Sequence, residues 1–207
     1  MPKIVDHDAR RVELARAVWT VVGRDGVGGA SIRAVAAEAG WTHGAIAHYF
    51  KRRDDLLLFA YRLAVERELG SAPGEDVQSD PFERLVGLLL RSLPVDERSA
   101  LDVRIWLGFM GRVADEPELA RAVLGEHENY HASVRELVGQ CVAESCAPSD
   151  LDVEEATESA VVYADGLGIA ASLDPNRYGP AKLEQMLRTF LRSLGLRPMP
   201  NQTEQRR

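Results

Sequence analysis

The sequence predicts an all-α fold of about nine helices. Apolar residues recur at three- and four-residue spacing almost throughout, no stretch alternates apolar and polar residues like a half-buried strand, and glycine or proline punctuates the apolar stripes. Leu14, Val18, Val21 and Val22 form the first stripe, which stops at Gly23 and Gly26. Ile32, Val35, Ala36 and Ala39 form a second between Ser31 and Gly40. Trp41, Ile46 and Phe50 supply the apolar side of a third helix, and a connecting helix follows near 54–70. Asp80-Pro81-Phe82-Glu83 then reads as an N-cap acid, a first-turn proline and a capping-box glutamate, after which Leu85, Val86 and Leu89 run on one face. Three longer stripes span Leu101–Val113, Leu119–Val142 and Val153–Leu173, with Pro117, Pro148 and Pro175 between or after them. Gly179-Pro180 opens the last helix, on which Leu183, Met186, Leu187, Phe190, Leu191 and Leu194 align. Beyond Gly195 the polar, proline-containing end is expected to lack fixed order. The domain layout expected is a head at 8–53, a connecting helix at 54–70, a bundle at 71–195 and a tail at 196–207.

Composition bounds the class. The 207 residues are 45% hydrophobic and 28% charged, with only two cysteines, which excludes a disordered chain and a disulfide scaffold. Cys141 and Cys146, five apart in a helical pattern, read as two small core residues rather than a disulfide or a chelate. The longest uncharged apolar runs, Ala17–Gly23 and Leu85–Leu90, are far short of the roughly 18 residues of a membrane span. Met1–Asp6 carries no apolar signal region, so no membrane partner and a cytoplasmic location are expected. No residue pattern calls for a cofactor.

Net charge is −7, but unevenly divided: residues 1–53 hold nine Lys/Arg against five Asp/Glu, and the rest sixteen against twenty-seven. A basic head on an acidic body is compatible with phosphate contact, because the field that matters is local. A solvated face with a few extra arginines gives the same count.

Ser31 to Phe50 reads as helix, glycine-containing turn, helix, the spacing of a helix-turn-helix. Ile32, Val35, Ala36, Ala39, Trp41, Ile46 and Phe50 are placed to hold the two helices at a fixed angle. Arg33, Thr42, His43, Ala45, Ala47, His48 and Tyr49 are left to face outward. Paired short helices joined by glycine are also common in all-α proteins with no nucleic-acid role. The residues then become specific: Gly26, Ser31, the alanine-rich helix ending Ala39-Gly40, Thr42, Gly44, Ile46, Tyr49-Phe50 and the acidic-leucine run after Lys51 closely resemble the tetracycline-repressor (TetR) family of bacterial transcription regulators, over about residues 10–68. Asp102-Val-Arg-Ile-Trp106 and Asp165-Gly-Leu-Gly168 resemble the branch of the betaine-gene repressors.

The resemblance implies a double-stranded DNA operator, a small-molecule effector and a homodimer. Ser31 is expected to cap the second helix against phosphate, while Thr42 caps the recognition helix and Gly44 lets its backbone approach DNA. Arg33, His43 and His48 fall to base reading, Ala45 and Ala47 offer only apolar contact, and Tyr49 and Arg53 are placed at phosphates. Arg52 stands where a small capping residue is common, so Asp54 and Asp55 are expected to complement that helix start. Trp106, Phe109, Met110, Tyr130, His131, Tyr163 and Asp165 are the candidate effector chamber, with aromatic faces and an acid suited to a cation; ordinary bundle core explains each equally. The dimer interface is expected at Ala160, Ala164, Gly168 and Ala171 with Leu187, Phe190, Leu191 and Leu194, unless those faces pack inside one subunit.

Two features point elsewhere. His127-Glu128-Asn129-Tyr130-His131 has zinc-protease spacing, with Glu154 or Glu155 as a third ligand, which leaves a metal-dependent hydrolase as an alternative beside a helix-turn-helix relative that contacts proteins. Gly23-Arg-Asp-Gly-Val-Gly-Gly29 suggests a phosphate loop, but it follows a helix and lacks the lysine, so a helix-ending turn is expected.

Overall fold

A computed structural model of the protein describes residues 7–70, 80–113 and 115–199. Among them the chain forms α1 (His7–Gly29), α2 (Ile32–Ala39), α3 (His43–Tyr49), α4 (Arg53–Gly70), α5 (Pro81–Arg91), α6 (Glu97–Val113), α7 (Pro117–Ala143), α8 (Val153–Leu173) and α9 (Pro180–Ser193), and no strand. The all-α expectation holds, and no helix among the described residues is long and apolar enough to cross a membrane.

Local chemistry sets the boundaries. Helix α1 runs through Gly23 and breaks at Gly26, whose φ of 72° and ψ of 173° only glycine adopts without strain. The glycine-rich stretch is therefore a helix-ending turn. Helices α2, α7 and α9 end in one way: a residue at positive φ follows the last turn, and the next amide reaches back to the carbonyl five residues earlier. The pairs are Trp41 to Ala36, Cys146 to Cys141 and Leu196 to Leu191, with Gly40, Ser145 and Gly195 at positive φ. At α5, Asp80 caps through the Phe82 amide at 2.8 Å and Pro81 fills the first turn. Glu83 does not complete a capping box. Both its oxygens accept from Arg188 of α9, at 2.8 and 2.7 Å, because that guanidinium offers two parallel donors where the cap offers one. Arg188 also holds the Glu83 carboxyl below its usual range.

Packing gathers the helices into two units, one containing the chain up to Arg67 with Leu101–Glu126, the other Glu68–Ala100 with His127 onward. Most of α4 and parts of α6 and α7 pack with the first three helices in the first unit. In the first unit Leu14, Val18, Val21, Val22, Val35, Ile46 and Leu56 are fully buried. The close approach of Val27 to α6 requires Gly108, where a Cβ would stand 2.6 Å from Val27 Cγ1.

In the second unit Phe82, Leu85 and Leu89 of α5 meet Val134 and Val138 of α7, Ala160, Val161 and Ala164 of α8, and Leu183, Leu187 and Leu191 of α9. Cys141 and Cys146 lie fully buried in this core, and burial pushes their thiols up to about 12 and about 11, so they behave as small apolar residues. The chain after Gly195 departs from expectation as far as Met199. Leu196 is fully buried, the Arg197 amide donates to the Cys146 carbonyl at 2.8 Å, and the Met199 amide donates to Asp80 Oδ2 at 2.6 Å. Tail residues 200–207 lie outside the described residues.

Candidate nucleic-acid interface

The second and third helices are held by hydroxyl caps. Ser31 Oγ accepts from the Ala34 amide at 3.1 Å, and Thr42 Oγ1 accepts from the Ala45 amide at 3.2 Å, as the sequence predicts. Val35 and Ala36 of α2 and Ile46 and Phe50 at α3 are buried, while Ile32, Ala39 and Trp41 are half-buried at the rim. This one-sided burial leaves Ser31, Arg33, Thr42, His43, Gly44, Ala45, Ala47 and His48 all exposed. Nothing among the described residues demands the glycine at 44: its φ is not positive and a Cβ there would meet nothing within 4 Å.

Tyr49 is half-buried, edge-on to Trp41 with ring centroids 5.6 Å apart and to His48 at 5.5 Å. The Trp41 indole N–H donates to Glu13 Oε1 of α1 at 3.2 Å, and the Arg10 guanidinium lies 4.9 Å over the indole ring. Sequence reading did not single out this bracket, because Glu13 and Arg10 lie 28 or more residues from Trp41. A second tie, Arg24 to Glu38 at 2.9 Å, joins α1 to α2.

Arg53 has a role within the head that the sequence does not display. Its Nε donates to the Ala30 carbonyl at 2.9 Å and its Nη2 to the Val27 carbonyl, so the guanidinium braces the turn that follows the break at Gly26. Arginine suits this because its planar fork serves two separated acceptors at once. At the same helix start, Asp55 accepts from the Arg52 amide at 3.0 Å, taking the part of a capping carboxylate.

The seven candidate effector residues divide between the units. In the first, Phe109 is buried against Tyr61 at 6.0 Å, and Trp106 and Met110 are half-buried. In the second, the Tyr130 hydroxyl is 3.0 Å from Ser92 Oγ. Tyr163 and Asp165, two apart on α8, point to different sides. Tyr163 stacks on Phe190 of α9 at 3.9 Å and 8°, lining an open groove of about 440 Å³ with Val162 and Gly166. It is therefore not grouped with Asp165, as the sequence reading had it.

Asp165 lies against α7, with Oδ2 3.9 Å from His127 Nε2, while His131 Nδ1 is 3.7 Å from Glu158 Oε2 and the two imidazoles are 4.6 Å apart. Burial, reinforced by Glu158, pushes Asp165 up to about 6. Burial and the neighbouring His131 pull His127 below its ordinary 6.5. An acid whose folded pKa exceeds its unfolded value costs stability once ionised, so Asp165 subtracts stability above about pH 6 and the cost fades as pH falls toward 4. His127 acts oppositely, losing stability as pH drops below 6.5. Asp165→Asn is expected to raise the urea midpoint at pH 7.5 and to leave a decline below pH 6.5 that belongs to His127; melts at pH 5, 6 and 7.5 read both effects. A lower midpoint at pH 7.5 would mean the carboxylate is held by a stabilising partner instead.

The zinc-protease reading of His127, Glu128 and His131 is not supported. Each imidazole faces its own α8 carboxylate, Glu154 is paired with Arg135 at 2.7 Å, and among the described residues no group of three or more His, Cys, Asp or Glu is placed to hold a metal. The expected dimer stripe is also corrected in part. Ala160, Ala164, Gly168 and Ala171 are buried within the chain, as are Leu187 and Leu191, because small residues one turn apart serve close packing inside one bundle as well as between two. Phe190 and Leu194 stay half-buried, and α8 exposes Val162 at 58%, Ile169 at 42% and Leu173 at 82%.

Residues 15–59 match the family described as bacterial regulatory proteins, tetR family, and residues 81–196 match the family described as BetI-type transcriptional repressor, C-terminal. The HTH-type transcriptional regulator PksA of Bacillus subtilis (strain 168) is 29% identical over 195 residues, 94% of each chain. A transcriptional regulator from Rhodococcus sp. Rha1 superposes with a TM-score of 0.74 at 27% identity, covering 89% of this chain and 95% of that one. A structure titled as a transcriptional regulator from Saccharomonospora viridis in complex with choline has a TM-score of 0.75 at 21% identity, covering 90% and 97%, and shares the fold.

Proposed function

Because the chain belongs to the tetracycline-repressor family, as a DNA-binding transcriptional regulator with a BetI-type C-terminal part and not an enzyme, we propose that it is an effector-responsive repressor that binds a pseudo-palindromic operator as a homodimer in the cytoplasm. The observation that carries this is α3 itself: a hydroxyl-capped helix, anchored by buried Ile46 and Phe50, that turns His43, Gly44, Ala45, Ala47 and His48 to solvent on one face. Residues 8–53 form the DNA-binding head, α4 connects it, and residues 71–195 carry effector binding and dimerisation. Ser31, Thr42, Gly44 and Tyr49 position the head on phosphates, and Arg33, His43 and His48 read base edges.

Two copies place their α3 helices about 34–36 Å apart, one turn of DNA, and effector binding favours a state in which that spacing is lost. The exposed Val162, Ile169 and Leu173 with the Tyr163–Phe190 stack supply the apolar area for the two-fold contact. Asp165 is the acid that a cationic effector of the choline type would meet, and its ionisation near pH 6 makes such binding weaken below that pH.

Selection of a random-sequence duplex library by the purified protein, repeated across salt concentrations, tests the reading. Enrichment of a palindrome with a steep salt dependence is expected, and absence of enrichment by effector-free protein would refute it. Arg33→Ala is expected to cost about 2 kcal/mol of operator affinity and to relax one operator position, read by repeating the selection with the variant.

A further inference from the structure

The geometry points to Arg10 as a DNA-phosphate contact of the recognition surface, held in place by Trp41. This rests on the DNA-binding reading and adds to it a residue outside the helix-turn-helix. Arg10 is an exposed residue of α1, and its guanidinium lies 4.9 Å over the indole of Trp41. Trp41 is the residue immediately before the cap of α3, and its indole N–H is fixed by Glu13 at 3.2 Å. The ring also meets Tyr49 edge-on, which meets His48, so one guanidinium and three rings form a continuous chain of contacts at the recognition helix.

The charge on that chain of contacts is available. The contact of Arg10 Nη1 with Glu13 Oε2 is long, at 3.8 Å, and the Glu13 carboxylate is already shared with the indole. A guanidinium lying on an aromatic face keeps the N–H groups of its edge free, and stacking limits the rotamers it must give up on binding. Planar, pre-oriented and charged, it suits bidentate donation to a phosphate flanking the groove that α3 enters. Glu13 and Trp41 are positioning residues in this arrangement. Arg10 carries the contact.

The test is equilibrium binding of full-length protein to the operator selected by the wild type and to a scrambled duplex of equal length, from 50 to 200 mM salt. With Arg10→Ala, both duplexes are expected to weaken by similar factors, and the loss across that salt range to be about 3-fold smaller than for the wild type, because one fewer counterion is released. Arg10→Lys retains most of the salt dependence, and Trp41→Phe, which keeps a ring but loses the bond to Glu13, falls between. Thermal melts of each variant exclude unfolding as the cause. An unchanged salt dependence in Arg10→Ala, with wild-type protein binding normally, overturns the Arg10 assignment alone. A loss confined to the operator duplex overturns it too, since that marks base reading. Failure of the wild type to bind either duplex overturns the DNA-binding reading and this inference with it.

Discussion

Replacing Arg53 with alanine is expected to lower stability by about 2–4 kcal/mol and to abolish operator binding, although the residue contacts no base in the proposed arrangement. The carbonyls of Ala30 and Val27 both accept from this one guanidinium, the Val27 carbonyl also from the Ala30 amide at 3.2 Å. They sit in the turn that the break at Gly26 creates, where the ordinary i to i+4 ladder has ended. Removing the fork takes one donor from each of two acceptors in a crowded turn whose Val27 packs on Gly108. Arg53→Lys is expected to recover only part of the loss, because one ammonium cannot hold the two acceptors with the same planar geometry. Urea unfolding gives the stability change, and binding to the selected operator gives the functional one. A variant as stable as the wild type that loses only salt-dependent affinity would return Arg53 to the phosphate role that the family resemblance implies.

Gly44→Leu separates folding from function in the opposite direction. A Cβ at this exposed helical position meets nothing among the described residues, and leucine is a better helix former than glycine, so stability is expected to hold or to rise by up to about 1 kcal/mol. Operator affinity is expected to fall about 100-fold, close to 3 kcal/mol, because the new atoms occupy the space through which the α3 backbone approaches DNA and displace neighbouring contacts. Gly44→Ala should fall between. Melting curves beside operator binding check the pair of effects, and full affinity in a folded Leu variant would mean that the N-terminus of α3 does not approach DNA closely.

Much of the recognition surface was legible without coordinates. Ser31 and Thr42 announced themselves as caps by residue type and position, and Ile46 and Phe50 as its buried face by spacing. The tie of Arg53 to Ala30 and Val27 was not legible because those acceptors are 23 and 26 residues away, in a turn that no local pattern displays. The candidate effector residues were chosen for chemistry alone, and helix phase then set Tyr163 against Phe190 and Asp165 against His127. Small residues on α8 carried a true signal of close packing, but not which helix packs there. The neighbours proved to belong to the same chain.

What the sequence determined by itself acts within about one helical turn: the all-α class, the caps at Ser31, Thr42 and Asp80, the glycine terminations at Gly40 and Gly195, and the phase of each apolar stripe. Tertiary structure alone decided the long-range pairings. Glu83 went to Arg188, 105 residues on, instead of its own helix start, Trp41 to Glu13, and Asp80 to the Met199 amide as well as to the cap. The reason is physical. Local hydrogen bonds and side-chain phase follow from fixed backbone geometry, whereas the partner of a charged or aromatic side chain depends on which helices the apolar stripes bring together, and many sequences with the same stripes can satisfy that packing differently.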